Sequence, residues 1–316
     1  MTFRTAAPRV EEIADGIYAY LQPDGGWCLN NAGIIVGSSS TAVIDTAATE
    51  QRALQLHSAV MKLSSRRPNV VVNTHFHGDH TYGNFVFAQD ATIVAHEDTR
   101  ADMAAAGLHM QGLWPDVGWG AIEVALPSLT IRESSTMYIG DIRAELITFG
   151  PAHTRSDIVV WLPDTRVLFT GDLVMSGVTP FLTMGSLSGS LAAVRRLRNL
   201  DAVTLVTGHG PVTDASVLDV TEGYLRWAKQ LAEAGIAAGI SPLEVAREAD
   251  LGSYAGLLDS ERLVGNLHRA YAEAGGAALG APLDVGAIFD DIIAFHGITG
   301  LSGLRPPELP SPESAR

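Results

Sequence analysis

The chain has 316 residues, of which 47% are hydrophobic, and its formal net charge is −14. A chain of this length and apolarity can bury a substantial core, as one large α/β domain or two smaller ones. Because a negative surface repels phosphate backbones, nucleic acid is not an expected partner.

Cysteine content and the lack of long apolar segments indicate a cytoplasmic protein. Cys28 is the single cysteine, so no disulfide can form within the chain, as expected in a reducing compartment. The opening stretch MTFRTAAPRVEEIADG contains no apolar run typical of a secretory signal. No run of about 18 uncharged apolar residues occurs, so we predict neither a membrane span nor a membrane partner.

The first part of the chain alternates predicted strands and helices. Apolar runs bounded by glycine, asparagine and serine predict strands in GIYAYLQ, NAGIIVG and TAVIDT. Helical spacing of apolar residues predicts a helix in ATEQRALQLHSAVMKL, and NVVVNTH is then typical of a buried strand. ATIVAH predicts another strand, followed by a short helix in EDTRADMAAAG. The stretch from Leu108 to Pro127 predicts a long ordered loop.

Strand patterns resume after this loop and then give way to helical ones. The strands are predicted in LTIRES, STMYIGD, AELITFG, IVVWLP, RVLFTGD and VTLVTGHG, with a helix, SLAAVRRLRNLD, before the last of them. Residues 215–276 contain three helical patterns and no strand pattern. We therefore divide the chain into a mixed α/β domain at 1–214, a helical extension at 215–300 and a polar, proline-rich tail at 301–316 that we expect to be disordered.

The stretch NTHFHGDHTYGN concentrates histidine and aspartate directly after a buried strand. Histidine nitrogen and carboxylate oxygen are ligands of zinc and similar divalent metals. His75 and His77 can point the same way because side chains alternate along an extended chain. A tight turn at the following glycine can bring Asp79 and His80 to a second position. These four residues can therefore offer two pairs of ligands to two metal ions.

Three further candidate ligands each follow an apolar run and lie beside a glycine or proline turn. His153 lies in ITFGPAHT, Asp172 ends VLFTGD and His209 lies in LVTGHGP. Loops collect at the strand ends of an α/β sheet, so we expect these side chains to meet the first group. Each of them alone is more commonly structural, but together they favour a dinuclear metal site.

The motifs THFHGDH, GPAHT, TGD and TGHGP, in this order, resemble those of the metallo-β-lactamase superfamily over about residues 10–212. The resemblance implies that residues 1–214 form a catalytic domain with a four-layer αββα sandwich, flanked at its active site by the helical extension. It also implies two metal ions per chain, with zinc the best match to nitrogen and oxygen donors and iron or manganese as alternatives. The implied ligands are His75, His77 and His153 for the first ion, Asp79, His80 and His209 for the second, and Asp172 bridging both.

A bridging aspartate makes the chain similar to the glyoxalase II, lactonase and thioesterase branches of that superfamily, because zinc β-lactamases have a cysteine in the second site. The expected chemistry is attack of metal-bound hydroxide on a carbonyl carbon. We predict a zinc-dependent hydrolase of a thioester or ester, with Asp79 also orienting the hydroxide as a catalytic residue. The alternative is a lactonase or glyoxalase II-like hydrolase of a small ester or thioester. A non-catalytic metal protein would require a closed site.

Longer phrases, among them GGWCLNNAGIIVG and LFTGDLVMSGVTPFLTMGSLSGSL, are similar to the cyclase/thioesterases of actinomycete aromatic polyketide pathways. That resemblance implies ring closure and release of an acyl chain tethered to a carrier protein. A small-molecule acyl substrate is the other expectation. The residues do not distinguish between these substrates. They also do not indicate the oligomeric state.

Other residues are expected around the metals. Asp157, in HTRSDIVV, is placed either to hydrogen-bond a metal ligand and fix its orientation or to cap the loop before a strand. Aromatic and apolar side chains in loops beside a metal are typical pocket linings, although tryptophan more often packs in the core and asparagine more often forms turns. The candidate pocket residues are Trp114, Trp119, Phe181, Met184 and Asn31.

Overall fold

The computed structural model describes residues 7–296, in which twelve strands form two β-sheets. The first sheet has seven strands in chain order: β1 (Arg9–Ala14), β2 (Ile17–Leu21), β3 (Ala32–Val36), β4 (Thr41–Ile44), β5 (Val70–Val72), β6 (Thr92–His96) and β7 (Leu129–Ile131). Strands β1 to β4 pair antiparallel, and β4 to β7 pair parallel. The parallel half therefore brings the carboxyl ends of β4, β5 and β6 to one edge.

The second sheet has five strands: β8 (Ser135–Ile139), β9 (Ile142–Phe149), β10 (Asp157–Leu162), β11 (Val167–Gly171) and β12 (Thr204–Thr207). Their spatial order is β12-β11-β10-β9-β8. Strands β8 to β11 pair antiparallel, whereas β11 and β12 are parallel. Strands β9, β11 and β12 consequently end on the same side of the sheet, because β10 alone runs in the opposite direction within this group.

Helices connect these strands and follow the last one. Before β12 they are α1 (Glu50–Leu63), α2 (Gly78–Thr81), α3 (Asn84–Phe87), α4 (Glu97–Ala106), α5 (Met110–Leu113) and α6 (Leu187–Arg198). After β12 they are α7 (Val217–Ala238), α8 (Pro242–Glu248), α9 (Arg262–Ala274) and α10 (Val285–Phe295). Helix α1 begins where the side chain of Thr49 accepts a hydrogen bond from the backbone of Arg52.

Side-chain alternation along the strands produces the layers. Ile35 of β3 and Phe169 of β11 belong to one core between the two sheets. Their chain neighbours point outward: Ile34 packs with α1, and Leu168 packs in the core that contains residues of α6. The predicted αββα sandwich with C-terminal helices is thus confirmed.

The helices after β12 share a core with the second sheet. Leu263 and Leu267 of α9 are buried in the same apolar cluster as Leu168. Residues 108–127 are not a plain loop as predicted, because they include the short helix α5. The predicted tail at 301–316 lies outside the described residues, and the division at residue 214 stays a prediction. Within residues 7–296, no helix combines the length and apolarity needed to span a bilayer.

Substitution of Gly33 by alanine should destabilise the sandwich. A Cβ atom at this position would lie 2.5 Å from the Phe169 ring of the opposite sheet, so the two sheets can approach only at glycine. We expect Gly33→Ala to lower the free energy of unfolding by about 1–3 kcal/mol through overpacking, measured by urea denaturation. Gly256→Ala, where a Cβ meets nothing within 4 Å, is the matched control. Equal stabilities of the two variants would contradict this account of sheet packing.

Candidate metal centre

All seven candidate ligands lie in the segments that directly follow strands, and they converge on one place. His75 and His77 follow β5, and α2 carries Asp79 and His80. His153, Asp172 and His209 follow β9, β11 and β12. Their donor atoms form two groups, each within 4.8 Å: His75, His77, His153 and Asp172, and beside it Asp79, His80 and His209.

The first group consists of three imidazoles around a shared point. Nδ1 of His77 lies 3.1 Å from Nε2 of His75 and 2.9 Å from Nε2 of His153. Oδ2 of Asp172 lies 3.4 Å from Nε2 of His153 and 3.8 Å from Nε2 of His75. Each side chain is at least nine-tenths buried. Nitrogen and oxygen donor atoms that lie this close together are suited to binding one divalent cation.

The second group meets the first at Asp172. Nε2 of His209 lies 3.3 Å from Oδ2 of Asp79 and 3.5 Å from Oδ2 of Asp172. Nε2 of His80 lies 3.7 Å from Asp79 and 3.1 Å from Oδ1 of Asp172. The carboxylate of Asp172 therefore contacts histidines of both groups, as a bridging ligand must.

The outer nitrogens of two ligand histidines are held by backbone carbonyls. Nδ1 of His153 donates to the carbonyl oxygen of Phe181 at 2.7 Å, and Nδ1 of His209 donates to that of Gly25 at 2.9 Å. When either ring is neutral, as metal binding requires, a donating Nδ1 leaves Nε2 without a proton. Both Nε2 atoms are the ones that face the donor groups, so the rings are oriented for metal binding.

Asp45 orients two more ligands, and the sequence reasoning missed it. Its Oδ2 accepts a hydrogen bond from Nδ1 of His80 at 2.8 Å and one from the hydroxyl of Thr74 at 2.7 Å. That hydroxyl lies 2.9 Å from Nδ1 of His75. Asp45 follows β4 with a φ of 59°, a conformation that aspartate tolerates better than most residues. The available signal was the aspartate of TAVIDT, at the end of a strand beside β5.

Two buried polar atoms support a metal at this site. Nε2 of His80 and Oδ1 of Asp172 are buried and have no hydrogen-bond partner of acceptable geometry within the described residues. Buried polar groups are normally satisfied, and a cation would satisfy both. Cys28 is also buried nearby, but it belongs to neither donor group. The residues therefore fit two divalent ions bound by histidine and aspartate.

Burial and neighbouring charges determine the protonation state of the candidate ligands. Burial lowers the pKa of His75 and of His77, so both rings are neutral at neutral pH, as ligation requires. Burial also disfavours a charge on His80, but the carboxylates of Asp172, Asp79 and Asp45 outweigh it and raise the pKa. The metal-free site thus attracts positive charge, which a bound cation would supply in place of the proton.

Gly208 allows Asp172 to reach its position. A Cβ atom on this residue would lie 1.8 Å from Oδ1 of Asp172, closer than any contact a side chain could relieve. Gly208 also precedes His209, so the TGHG sequence gives space to one ligand while presenting another.

Asp157 holds the backbone next to a ligand and does not bond an imidazole. Its carboxylate accepts hydrogen bonds from the backbone N–H of Thr154 at 3.1 Å and from the hydroxyl of Thr154 at 2.8 Å. Burial raises the pKa of Asp157 to about 7, against the opposing effect of these bonds. Its predicted role in orienting a ligand is therefore indirect, through the turn that carries His153.

A narrow cavity opens onto the donor groups. Its polar wall includes four of the seven candidate ligands: His77, Asp79, Asp172 and His209. The other lining residues are Trp27, Cys28, His109, Met110, Leu113, Trp114, Met175, Phe181, Met184, Arg262 and Phe289. The predicted pocket residues Trp114, Phe181 and Met184 are among them.

The other two predicted pocket residues do not line this cavity. Trp119 is buried in the core and its indole N–H donates to the carbonyl oxygen of Trp114 at 3.0 Å. The side-chain amide of Asn31 donates to the carbonyl oxygens of Thr207 and Gly210 at 2.9 and 2.7 Å, on either side of His209. Trp119 therefore supports the pocket from behind, and Asn31 holds the loop of a metal ligand. Sequence reasoning missed Trp27, whose partner Glu261 lies 234 residues away, and Phe289, which lies outside every motif.

The family comparison agrees with this geometry. The model of the metallo-beta-lactamase superfamily matches residues 25–209, which is more than half of the chain. The chain belongs to this superfamily. A solved structure, a metallo-beta-lactamase from Pontibacter korlensis, aligns with a TM-score of 0.58 over 70% of this chain and 99% of that one, at 24% identity. This likeness supports the fold alone.

Three relatives within the superfamily illustrate its range. An acyl-coenzyme A thioesterase, MBLAC2, of Homo sapiens is 28% identical over 43% of this chain and 53% of its own length. The alpha subunit of a 2,4-dinitroanisole O-demethylase of Nocardioides sp. is 29% identical over 66% and 57%. A hydroxyacylglutathione hydrolase of Rhodospirillum rubrum is 32% identical over 44% and 47%. The chain thus spans about half the length of these relatives.

The helical extension also reaches the metal centre. Asn266 of α9 donates to the carbonyl oxygen of Pro180 at 2.7 Å and accepts the backbone N–H of Leu182 at 2.9 Å. Arg269, about one turn further along the same face of α9, donates to the carbonyl oxygen of Thr183 at 2.6 Å. The segment between these bonds contains Phe181, whose carbonyl oxygen holds His153. Helix α9 therefore positions a metal ligand through one loop.

Loss of the Asp45 carboxylate should weaken metal binding. Asp45→Asn keeps the size and tolerates the positive φ, but it removes the charge that His80 and Thr74 bond. We expect metal affinity to fall by about 10–100-fold, measured by competition with a chromophoric chelator. The control is Asp141→Asn, an exposed carboxylate that also accepts a backbone N–H, from Ser38. Unchanged affinity in Asp45→Asn would show that the charge is dispensable.

Truncation of Asn266 should disturb the first metal site from a distance. Asn266→Ala removes both bonds to the loop at Phe181, so His153 loses its fixed acceptor. We expect a folded protein with weaker metal binding and altered ligand-field bands after cobalt substitution. Tyr224→Phe, which removes only the hydroxyl that Asn266 bonds on another side, is the control. Identical cobalt spectra for the wild type and Asn266→Ala would contradict this coupling.

Proposed function

We propose that the protein is a metal-dependent hydrolase of a thioester or ester bond, with two zinc ions as its resident metals. The observation that carries the proposal is the opening of the donor groups onto the cavity: His77, Asp79, Asp172 and His209 form part of its wall. A structural metal site is closed, whereas a catalytic one keeps a position for water and substrate. An open site beside a largely apolar cavity is suited to an acyl substrate.

The chemistry divides between the metals and the protein. When bound, a pair of divalent ions polarises the substrate carbonyl and lowers the pKa of water, so that hydroxide is available near neutral pH. The protein holds the ligand side chains in place through Asp45, Asp157 and the carbonyl oxygens of Phe181 and Gly25. These contacts exist before any substrate enters, which reduces the reorganisation needed during reaction.

Asp79 is the candidate catalytic residue. Burial disfavours its charge, but His80 and His209 outweigh this and lower the pKa of Asp79 to about 2. The carboxylate is therefore ionised at neutral pH, and it lies in the cavity wall. An ionised carboxylate at this place can accept a hydrogen bond from the attacking water and orient it toward the carbonyl carbon.

Two of the three relatives support an acyl substrate but differ in its identity. One is named as an acyl-coenzyme A thioesterase and another as a hydroxyacylglutathione hydrolase. A lactonase or glyoxalase II-like activity on a small ester or thioester is the alternative within the same chemistry. Ring closure on a carrier-protein-tethered polyketide stays a prediction from the sequence phrases, since none of the three relatives described above is a cyclase.

Metal content and hydrolysis together test the proposal. We expect about two zinc ions per chain by elemental analysis, and hydrolysis of thioesters that is lost on chelation and restored by zinc. His209→Ala should lower kcat/KM by a factor of at least about 100, because it removes a ligand of the second site. The control is His268→Ala, a histidine of α9 that bonds Asp291 outside the site. Zinc-loaded protein that binds two ions but cleaves no thioester, ester or lactone would overturn the proposal.

A further inference from the structure

Four aromatic side chains line the same cavity as the candidate metal ligands: Trp27, Trp114, Phe181 and Phe289. The ring centroid of Trp27 lies 5.2 Å from that of Phe181, 5.6 Å from that of Trp114 and 6.0 Å from that of Phe289. Phe289 closes the set, at 6.1 Å from Phe181 and 6.0 Å from Trp114. We refer to these four side chains as the aromatic wall. Pairs at such distances are in tilted or edge-to-face contact, the arrangement that aromatic rings prefer.

The helical extension anchors two rings of the aromatic wall, Trp27 and Phe181, and supplies a third, Phe289. The indole N–H of Trp27 donates to Glu261 at 2.7 Å, and the guanidinium of Arg262 lies 4.1 Å above the ring. Phe181 is fixed by the bonds of Asn266 to its neighbours, and Phe289 belongs to α10. A site whose rings are already ordered loses little conformational entropy when a ligand binds.

The wall carries no free positive charge. Arg262 is the one lysine or arginine among the residues that line the cavity in the described part of the chain, and its guanidinium is paired with Asp259 at 2.9 Å. The same group donates to the carbonyl oxygen of Thr179 and to the sulfur of Met175. Burial lowers the pKa of His109, which also lines the cavity, so that its ring is neutral. An anionic acyl group would therefore find no unpaired cation beside the rings.

We infer that the aromatic wall is the acyl-binding surface of the enzyme and selects a neutral aromatic acyl group, with Trp27 and Phe289 as specificity-determining residues. The inference rests on the proposed hydrolase function and adds the substrate class to it. The acyl ring packs against Trp27, Trp114 and Phe289, and this contact places the carbonyl carbon next to the side of the cavity formed by the metal ligands. The extension thus contributes to specificity through Phe289, whereas the sandwich supplies the other three rings and the metal ligands.

Kinetics with acyl groups on one common thiol leaving group test the inference. We expect kcat/KM for a benzoyl thioester to exceed that for an acetyl thioester by at least about 30-fold, and a succinyl thioester to gain nothing over acetyl. Phe289→Ala should reduce the benzoyl-to-acetyl ratio about tenfold. Phe289→Leu retains apolar volume but removes the ring, and it should also reduce the benzoyl-to-acetyl ratio. This second variant keeps the test valid if Phe289→Ala misfolds.

The matched control is Phe295→Ala, the same truncation in the same helix at a residue that packs on the core without lining the cavity. It should leave the ratio unchanged. A preference for acetyl or succinyl, or a ratio that is insensitive to both changes at Phe289, would overturn the inference even if hydrolysis itself is observed.

A binding experiment tests the aromatic wall independently of the proposed hydrolase function, because its ligand is an amide that is not hydrolysed at the pH of the assay. We expect 1-naphthamide to quench tryptophan fluorescence of the zinc-loaded protein, and acetamide to have no effect at the same concentration. Phe289→Leu should weaken naphthamide binding about tenfold, and Phe295→Ala should not. Saturable binding with this variant pattern supports the aromatic wall even if no thioester is cleaved. Absence of naphthamide binding in a protein that hydrolyses thioesters would overturn the inference alone.

Discussion

The burial of two carboxylates among five imidazoles is the constraint on which the rest of the site depends. Asp79 and Asp172 both lie within 3.5 Å of Nε2 of His209, and all three side chains are at least nine-tenths buried. Removing an ionised carboxylate from water costs several kcal/mol unless opposite charge and hydrogen bonds compensate it. Protons on His80 and His209 provide that compensation in the metal-free chain, and two divalent cations would provide it more completely.

The sandwich meets this constraint by collecting strand ends. Ligands follow β5, β9, β11 and β12, and Asp45 follows β4, so that no ligand depends on a long flexible segment. The outer nitrogens of His80, His153 and His209 are bonded to the carboxylate of Asp45 or to backbone carbonyl oxygens, which fixes both the ring orientation and the nitrogen that faces the metal. Gly208 and Gly33 allow close packing around Asp172 and between the two sheets, since neither position leaves space for a side chain.

The helical extension connects the metal centre with the cavity. Helix α9 bonds the loop that carries Phe181, and this loop faces His153 on one side and the cavity on the other. The residues just before α9 and at its start hold Trp27, which comes from the other end of the chain. Changes in the extension should therefore alter ligand orientation and substrate preference together, although the extension supplies no metal ligand within the described residues.

Local pattern was sufficient to predict the strands and the seven candidate ligands, whereas the sandwich was predicted from the resemblance of the motifs to a known superfamily. Each ligand sits in a short motif at a strand end, where period-two alternation and a glycine turn restrict the side-chain direction. The roles of Trp27 and Phe289 could not be predicted, because they arise from contacts across the chain: Trp27 meets Glu261 at a separation of 234 residues. For the same reason Asn31 and Trp119 are predicted to line the pocket, whereas Asn31 bonds the loop of His209 and Trp119 packs behind Trp114. The sequence by itself determined which residues can bind metal, since donor chemistry and spacing are local properties. Only the tertiary structure decided which neighbours orient those ligands and which rings face the cavity, because packing between distant segments has no local signature.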